Sequence, residues 1–138
     1  MLPSSLTSLG NGAFSGCSNI TISKLPVGIT KIPTQCFSGC SNIAISEIGM
    51  NDEYISIGRQ AFMSGAGSQV TELWLGKNVT IDEISAGNEA VFSYNGYPNL
   101  KNVYCYDNNY AGCGSLEELK WRLFGADNRN VTIHGETT

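Results

Sequence analysis

The first 47 or so residues contain one sequence unit written twice without a gap. The copies are LPSSLTSLGNGAFSGCSNITISK, which begins at Leu2, and LPVGITKIPTQCFSGCSNIAISE, which begins at Leu25. Phe14 and Phe37 are separated by the same 23 positions as the two leucines. A constant offset of this kind indicates one structural unit stacked on its own copy. The repeat therefore constrains the fold more strongly than any other feature of the chain.

Two looser copies follow the first two. Tyr54 to Phe62 matches Ile29 to Phe37 at an offset of 25, and the residues around Ser64 to Gly67 contain a two-residue insertion. In the fourth copy Phe92 takes the aromatic position, and Asn99 to Cys105 takes the strand position. The 30-residue shift from Phe62 to Phe92 places further inserted residues before Phe92 and around Asn95 to Pro98. Repeat arrays accommodate insertions as loops on one face, so we expect the later units to bulge there.

Stacking predicts that equivalent apolar side chains form ladders through a shared core. The four predicted ladders are Leu6, Ile29, Tyr54 and Ile81; Leu9, Ile32, Ile57 and Ile84; Phe14, Phe37, Phe62 and Phe92; and Ile20, Ile43, Val70 and Leu100. Each unit is expected to contain two short strands separated by a tight turn that Gly closes, as in the AFSGC and CFSGC segments. The strands of the first two units should be shorter, because Ser23 and Ser46 stand where Leu73 and Val103 come later.

The last part of the chain carries different signals. Ser115, with Glu118 three residues later, predicts a capped helix that ends at Gly125. A strand is predicted over Asn130 to Ile133. The exposed end of a repeat array needs a cover, and we expect this helix and strand to provide it. We expect the opposite end to belong to a longer protein or to be covered by self-association.

The predicted fold is mainly β with short helices, in the form of a solenoid of stacked repeat coils with parallel strands and a C-terminal helix-plus-strand cap. We divide it into repeat coils over 1–109 and a cap over 110–138. The expected coils, about four in number, are 2–24, 25–50, 51–77 and 78–106.

The two opening units resemble the BspA-type leucine-rich repeat, whose unit runs Leu-Pro-x-x-Ile-Thr-x-Ile and then Ala-Phe-x-x-Cys-x-x-Leu. The matching residues are Leu2-Pro3, Leu6-Thr7, Leu9, Ala13-Phe14, Cys17 and Ile20, and then Leu25-Pro26, Ile29-Thr30, Ile32, Phe37, Cys40 and Ile43. The segment from Tyr110 to Gly135 is similar to the closing segment of such arrays. The resemblance implies a secreted or surface protein, often adhesive, without catalytic residues.

Composition argues against several functional classes. A net charge of −4 provides no basic surface for nucleic acid, and no apolar run is long enough to cross a bilayer. We find no catalytic motif and expect no enzyme, cofactor or metal site. The single His134 falls in the predicted last strand, where a structural role is expected. No export signal is recognised in this chain, so an extracellular or cell-surface location would need one removed or upstream.

Five cysteines leave two alternatives open. Cys17 and Cys40 are equivalent positions, and adjacent coils bring equivalent residues to a spacing that permits a disulfide. The favoured interpretation is a ladder of free thiols that act as small apolar groups. Cys36 stands where the first unit has Ala13 and is expected to be buried. Cys105 and Cys113 either close a loop or remain free.

The strongest functional signal is a column on the predicted strand face. Lys24, Glu47, Trp74 and Tyr104 occupy equivalent outward positions, with Tyr106 beyond them. Large aromatic side chains that face solvent often mark binding surfaces. Alternatively, Trp74 and Tyr104 stack on each other or lie under the cap only for stability. The candidate ligand-binding residues are Trp74, Tyr104, Tyr106, Glu72, Lys101 and Asn102.

Two functions follow as hypotheses. The first is a non-catalytic module that binds a protein, peptide or glycan on its strand face, without nucleic acid or membrane insertion. The second is a structural unit that associates end-on through its first coil, as a homo-oligomer or as part of a longer surface or virion protein. The candidate self-association residues are Leu2, Leu6, Leu9 and Phe14.

Overall fold

The computed structural model describes residues 3, 5–50, 52–106, 109–127 and 129–135. In these residues seven short strands accompany one α-helix and one 3-10 turn. The strands are β1 (Lys31–Ile32), β2 (Glu47–Ile48), β3 (Ile55–Ile57), β4 (Glu72–Leu75), β5 (Val79–Ile81), β6 (Asn102–Tyr104) and β7 (Thr132–His134). Helix α1 spans Leu116–Phe124, and the 3-10 turn spans Gly87–Glu89. The content is therefore mainly strand with one helix.

The strands form two parallel sheets that join units adjacent in sequence. The order is β1-β3-β5 in the first sheet and β2-β4-β6-β7 in the second. In the first sheet Ile32 pairs with Ile57, as the offset of 25 predicts. In the second sheet Leu73 pairs with Val103, which confirms the expected equivalence of these two inward positions. β2 has two residues against four in β4, as the serine at position 46 predicts.

A third set of contacts runs through the phenylalanine turns. The Phe14 N–H donates to Cys36 O, the Phe37 N–H to Ala61 O and the Phe62 N–H to Val91 O. The four rings are stacked in one file, with centroid separations of 5.5, 5.4 and 5.9 Å. The ladder of Phe14, Phe37, Phe62 and Phe92 is thereby confirmed. Gly16 and Gly39 close their turns with φ of 75° and 74°, a conformation that suits glycine.

The predicted register of the fourth unit is wrong by three residues. Ile57 pairs with Ile81, not with Ile84, and Ile55 pairs with Val79. Tyr54, predicted to lie inside beside Ile81, is 73% exposed. The error arose because Ile81 and Ile84 imitate the apolar spacing of Ile29 and Ile32. The structure instead uses Val79 and Ile81, which lie on one side of a strand because strand side chains alternate.

The inserted residues of the later units fill the core. Tyr97 is fully buried, and its hydroxyl donates to Ile45 O at 2.6 Å. Its ring lies against both Phe62 and Phe92, with centroids at 5.2 and 4.6 Å. A side chain at Gly67 would overlap this ring, because a Cβ there would lie 2.2 Å from it. The insertions thus place an aromatic ring inside the molecule, in addition to lengthening its loops.

Helix α1 continues the hydrogen-bond pattern of the turns. The Val91 and Phe92 N–H groups donate to Arg122 O and Leu123 O, and the Phe124 ring stacks on Phe92 at 5.8 Å. The start and end of the helix are as predicted, with the Ser115 hydroxyl accepting from the Glu118 N–H and Gly125 following the last turn. β7 begins later than the predicted strand, at Thr132 instead of Asn130.

Arg129 holds the segment between α1 and β7 in place. Its guanidinium donates to Gly96 O at 2.6 Å and to Tyr97 O, and it lies 5.0 Å from the centre of the Phe124 ring. Partial burial lowers the pKa of this guanidinium. One side chain therefore connects the end of the chain to the insertion that fills the core.

The cysteines are all free thiols in this structure. Cys36 and Cys40 are buried, as expected for apolar core groups, and the Cys40 thiol donates to Phe14 O at 2.7 Å. Burial raises the pKa of the Cys36 and Cys105 thiols to about 12. Over the described residues, no helix combines the length and apolar character needed to span a membrane.

Candidate functional site

The outward column on the second sheet is formed by residues in direct register. Glu47 pairs with Trp74, Trp74 with Tyr104, and Tyr104 with His134. Trp74 faces outward because its neighbours in β4, Leu73 and Leu75, are completely buried. The predicted alignment of Glu47, Trp74 and Tyr104 is confirmed. Lys24 is exposed and lies outside the described strands, so its place in the column stays a prediction.

Three rings of this column form a continuous stack, which we call the aromatic stack (Trp74, Tyr104 and His134). The Trp74 and Tyr104 centroids are 4.0 Å apart with an interplanar angle of 15°. The Tyr104 and His134 centroids are 4.6 Å apart with an angle of 11°. Mutual stacking, the stability alternative for Trp74 and Tyr104, is therefore present. Both residues nevertheless remain only half-buried.

Sequence reasoning left His134 out of this column. The alternation of β7 contains the missing signal, because Ile133 pairs with the buried Val103 and so places His134 on the outer face. The register of β7 against β6 could not be derived from the repeat, since β7 belongs to no repeat unit. His134 also lies 3.0 Å from the side-chain oxygen of Asn102, through Nε2.

A polar column lies beside the aromatic stack. Glu72 pairs with Asn102, and Asn102 pairs with Thr132. The Tyr104 hydroxyl donates to the Glu72 carboxylate at 3.1 Å. Desolvation raises the pKa of the Tyr104 hydroxyl, and this hydrogen bond raises it further. The structure thus brings together Trp74, Tyr104, Glu72 and Asn102, four of the six predicted ligand-binding residues.

The other two candidates lie apart from the stack. Lys101 is exposed immediately before β6, where it lines an open cleft of about 570 Å³ with Asn95, Asn99 and Asn130. Tyr106 lies beyond the end of β6, in a smaller cleft of about 160 Å³ that it shares with Met50 and Lys77. The two side chains are therefore at opposite ends of the same strand. They flank the aromatic stack instead of extending it.

The first unit is only partly covered. Leu6, Leu9 and Phe14 are half-buried, whereas their counterparts Ile29, Ile32 and Phe37 are completely buried. Leu2 lies outside the described residues. In the next unit the carbonyls of Thr34, Cys36 and Ser38 accept from the first unit. The equivalent carbonyls of Asn11, Ala13 and Ser15 accept no backbone hydrogen bond from the described residues.

The described residues provide no cluster of three or more histidine, cysteine, aspartate or glutamate side chains with the geometry of a metal site. His134 is held between the Tyr104 ring and the Asn102 side chain. The raised pKa values of Cys36 and Cys105 keep these thiols protonated at neutral pH, and thiolates are the reactive form of cysteine. The outer face of the second sheet presents stacked rings and hydrogen-bonding groups.

Comparison with protein families assigns this architecture. A model of the BspA-type leucine-rich repeat region matches residues 1–117, with six copies. The chain belongs to the BspA-type leucine-rich repeat family. The resemblance derived from the first two units is thus confirmed, and the family match extends to the beginning of helix α1. The count of about four coils stays a prediction.

No curated protein and no solved structure gives a significant match to this BspA-type chain. The family match therefore supports the repeat architecture and a non-catalytic interaction role of the kind typical for such repeats.

Proposed function

We propose that this chain is a non-catalytic recognition module of a cell-surface or secreted protein. It forms a leucine-rich solenoid of about four coils, closed by α1 and β7 as a C-terminal cap. The outer face of the second sheet holds a partner. The observation that carries the proposal is the half-exposed aromatic stack in the middle of that face.

The position of the stack favours recognition over a purely structural role. The core is already filled by the phenylalanine file and Tyr97, so the stack adds no buried core volume. Aromatic side chains are enriched among the residues that dominate binding energy, because they bury a large area with few rotatable bonds. Family membership supports the same role, since repeats of this type commonly mediate interactions.

A double substitution separates recognition from stability. Trp74→Ala with Tyr104→Ala should abolish binding to a panel of immobilised extracellular proteins and glycans while the fold persists. Tyr54→Ala is the matched control, since Tyr54 is an exposed aromatic residue outside the strands of the second sheet. If the double variant binds like the control and only melts earlier, the stack is structural and the proposed binding face is wrong.

A second candidate function is end-on association through the first unit. It is favoured by the half-buried Leu6, Leu9 and Phe14 and by the backbone carbonyls of the first turn. An apolar surface beside a row of hydrogen-bond acceptors suits a partner that offers backbone N–H groups, such as another repeat unit.

Light scattering over a concentration series tests this second candidate. Leu6→Lys should shift an oligomer toward the monomer, because it places a charge on the proposed contact. Tyr94→Lys introduces the same charge at an exposed aromatic position in the fourth unit. A wild-type chain that stays monomeric at every concentration, or equal behaviour of both variants, removes self-association from consideration.

A further inference from the structure

The aromatic stack has little accessible ring face, which limits the kind of ligand it can hold. Trp74 and His134 each present one face to Tyr104, so both faces of Tyr104 are covered. A sugar ring stacks against the flat face of an aromatic side chain. That face is the negative part of the aromatic ring and attracts the C–H groups of the sugar. The covered faces cannot accept a sugar in this way. Open faces occur only at the two ends of the stack.

At the Trp74 end of the aromatic stack, the neighbouring residue is an acid. The indole face that is turned away from Tyr104 is directed along the sheet toward Glu47, which pairs with Trp74 through β2. Glu47 is exposed, and among the described residues its side chain forms no ion pair and no hydrogen bond. An indole face beside a carboxylate is suited to a cation, which is attracted by the ring and paired by the acid.

A cleft with both polar and apolar lining residues continues from Glu47. Its volume is about 260 Å³. The cleft is lined by Leu25, Pro26, Val27 and Met50, with Glu47 and Glu53 as acids and Lys24 as a base. Val27 is 79% exposed, the largest exposure among the large apolar side chains that the structure describes. The cleft can therefore hold an apolar side chain next to a cation, with two carboxylates against one ammonium group.

We propose that Trp74 and Glu47 bind an arginine side chain of a protein partner, and that the cleft from Leu25 to Val27 binds the apolar residue next to it. The guanidinium stacks on the outer indole face and pairs with the Glu47 carboxylate. Arginine fits better than lysine, because its planar group stacks on a ring and pairs with a carboxylate at the same time. The ligand class is a basic peptide segment. This inference rests on the proposed binding role of the strand face.

The fluorescence of Trp74 can report binding at this site. Trp121 is the second tryptophan of the chain and lies in α1, so a Trp121→Phe background makes the emission report Trp74 alone. The probe ligand is an acetylated and amidated Leu-Arg-Leu peptide. Its counterpart with neutral citrulline in place of arginine has the same shape without the charge. A trisaccharide of N-acetylglucosamine represents glycans.

The expected result is a saturable change of Trp74 emission with the arginine peptide and none with citrulline or the trisaccharide. Glu47→Gln should lower the affinity for the arginine peptide about fivefold, as expected for an exposed ion pair supported by stacking on an aromatic ring. Glu117→Gln removes the same charge from α1 and should change the affinity less than about twofold. Added salt should weaken binding of the arginine peptide to the wild-type chain.

Other outcomes distinguish a failure of arginine recognition from a failure of the proposed binding role of the strand face. If the trisaccharide changes the emission, or Glu47→Gln and Glu117→Gln weaken the arginine peptide equally, arginine recognition at Glu47 is wrong while binding at the strand face stands. If the peptide fails and the double substitution of Trp74 and Tyr104 also leaves panel binding intact, the proposed strand-face function fails as well.

Discussion

The first and second units have nearly the same sequence but very different burial. Phe14 and Phe37 occupy the same position of the unit, and their rings are 5.5 Å apart and almost parallel. Phe37 is 0% exposed, because it lies between Phe14 and Phe62. Phe14 is only half-buried. Burial in this chain therefore comes from the neighbouring units and not from the unit itself.

The last unit shows the opposite situation at the other end of the file. Phe92 is 1% exposed although no fifth repeat phenylalanine follows it. Phe124 of α1 takes that place at 5.8 Å, and the carbonyls of Arg122 and Leu123 accept from the turn of the fourth unit. A helix can thus replace a repeat unit when it presents one ring and two acceptors at the right spacing.

The largest expected effect contrasts the two equivalent phenylalanines. Phe37→Ala should lower the free energy of unfolding by about 3–5 kcal/mol, because it leaves a cavity among packed rings. Phe14→Ala should cost about half as much or less, since part of its surface is already in water. Urea unfolding of both variants measures this. Equal losses would mean that Phe14 is as well covered in solution as Phe37.

A substitution of Arg129 tests how the C-terminal segment is held against the fourth unit. Arg129→Met should cost about 2 kcal/mol, because the carbonyls of Gly96 and Tyr97 lose a charged donor. Arg59→Met is the control, since Arg59 is 44% exposed and pairs with Glu89 at 3.5 Å. That change should cost less than about 1 kcal/mol. A control that is equally destabilised would show that Arg129 contributes no more than a surface charge.

A smaller effect concerns the start of the covering helix. Ser115→Ala removes the acceptor for the Glu118 N–H and should cost about 1 kcal/mol. Ser115→Asn keeps an acceptor and should restore most of the stability. Thermal unfolding provides the comparison. If Asn and Ala behave alike, capping is not what sets the beginning of α1, and the contacts with the fourth unit set it instead.

A pH-dependent effect concerns the one cysteine by which the first two units differ. Cys36 has a folded-state pKa of about 12 against an ordinary value of 9.0, because of burial. The unfolded chain loses the thiol proton near pH 9, whereas the folded chain keeps it up to about pH 12. The stability that the buried, protonated thiol contributes is therefore fully present below pH 9 and is lost as the pH rises from 9 toward 12. Cys36→Ala, which copies Ala13, should flatten the alkaline loss of stability. Urea midpoints between pH 8 and 10.5 with the same slope in both chains would contradict this.

Much of the architecture was predictable because the repeat carries its own alignment. The offsets of 23, 25 and 30 residues placed the phenylalanines in one file, and the offsets of 27 and 30 placed Glu47, Trp74 and Tyr104 in one column. Local signals defined α1 to the residue, since Ser115 caps it and Gly125 ends it. These features depend on spacing and on short-range hydrogen bonds, which a single sequence displays directly.

Tertiary contacts decided the remainder. The fourth unit pairs through Ile81 instead of Ile84, because strands of three residues leave two apolar spacings equally possible until a neighbour selects one. Tyr97 becomes a core ring, and His134 completes the aromatic stack, through partners 52 and 30 positions away along the chain. The sequence alone determined which residues repeat and therefore stack. Only the folded molecule determined how the non-repeating residues fit between and beyond those layers, because their partners are distant and follow no period.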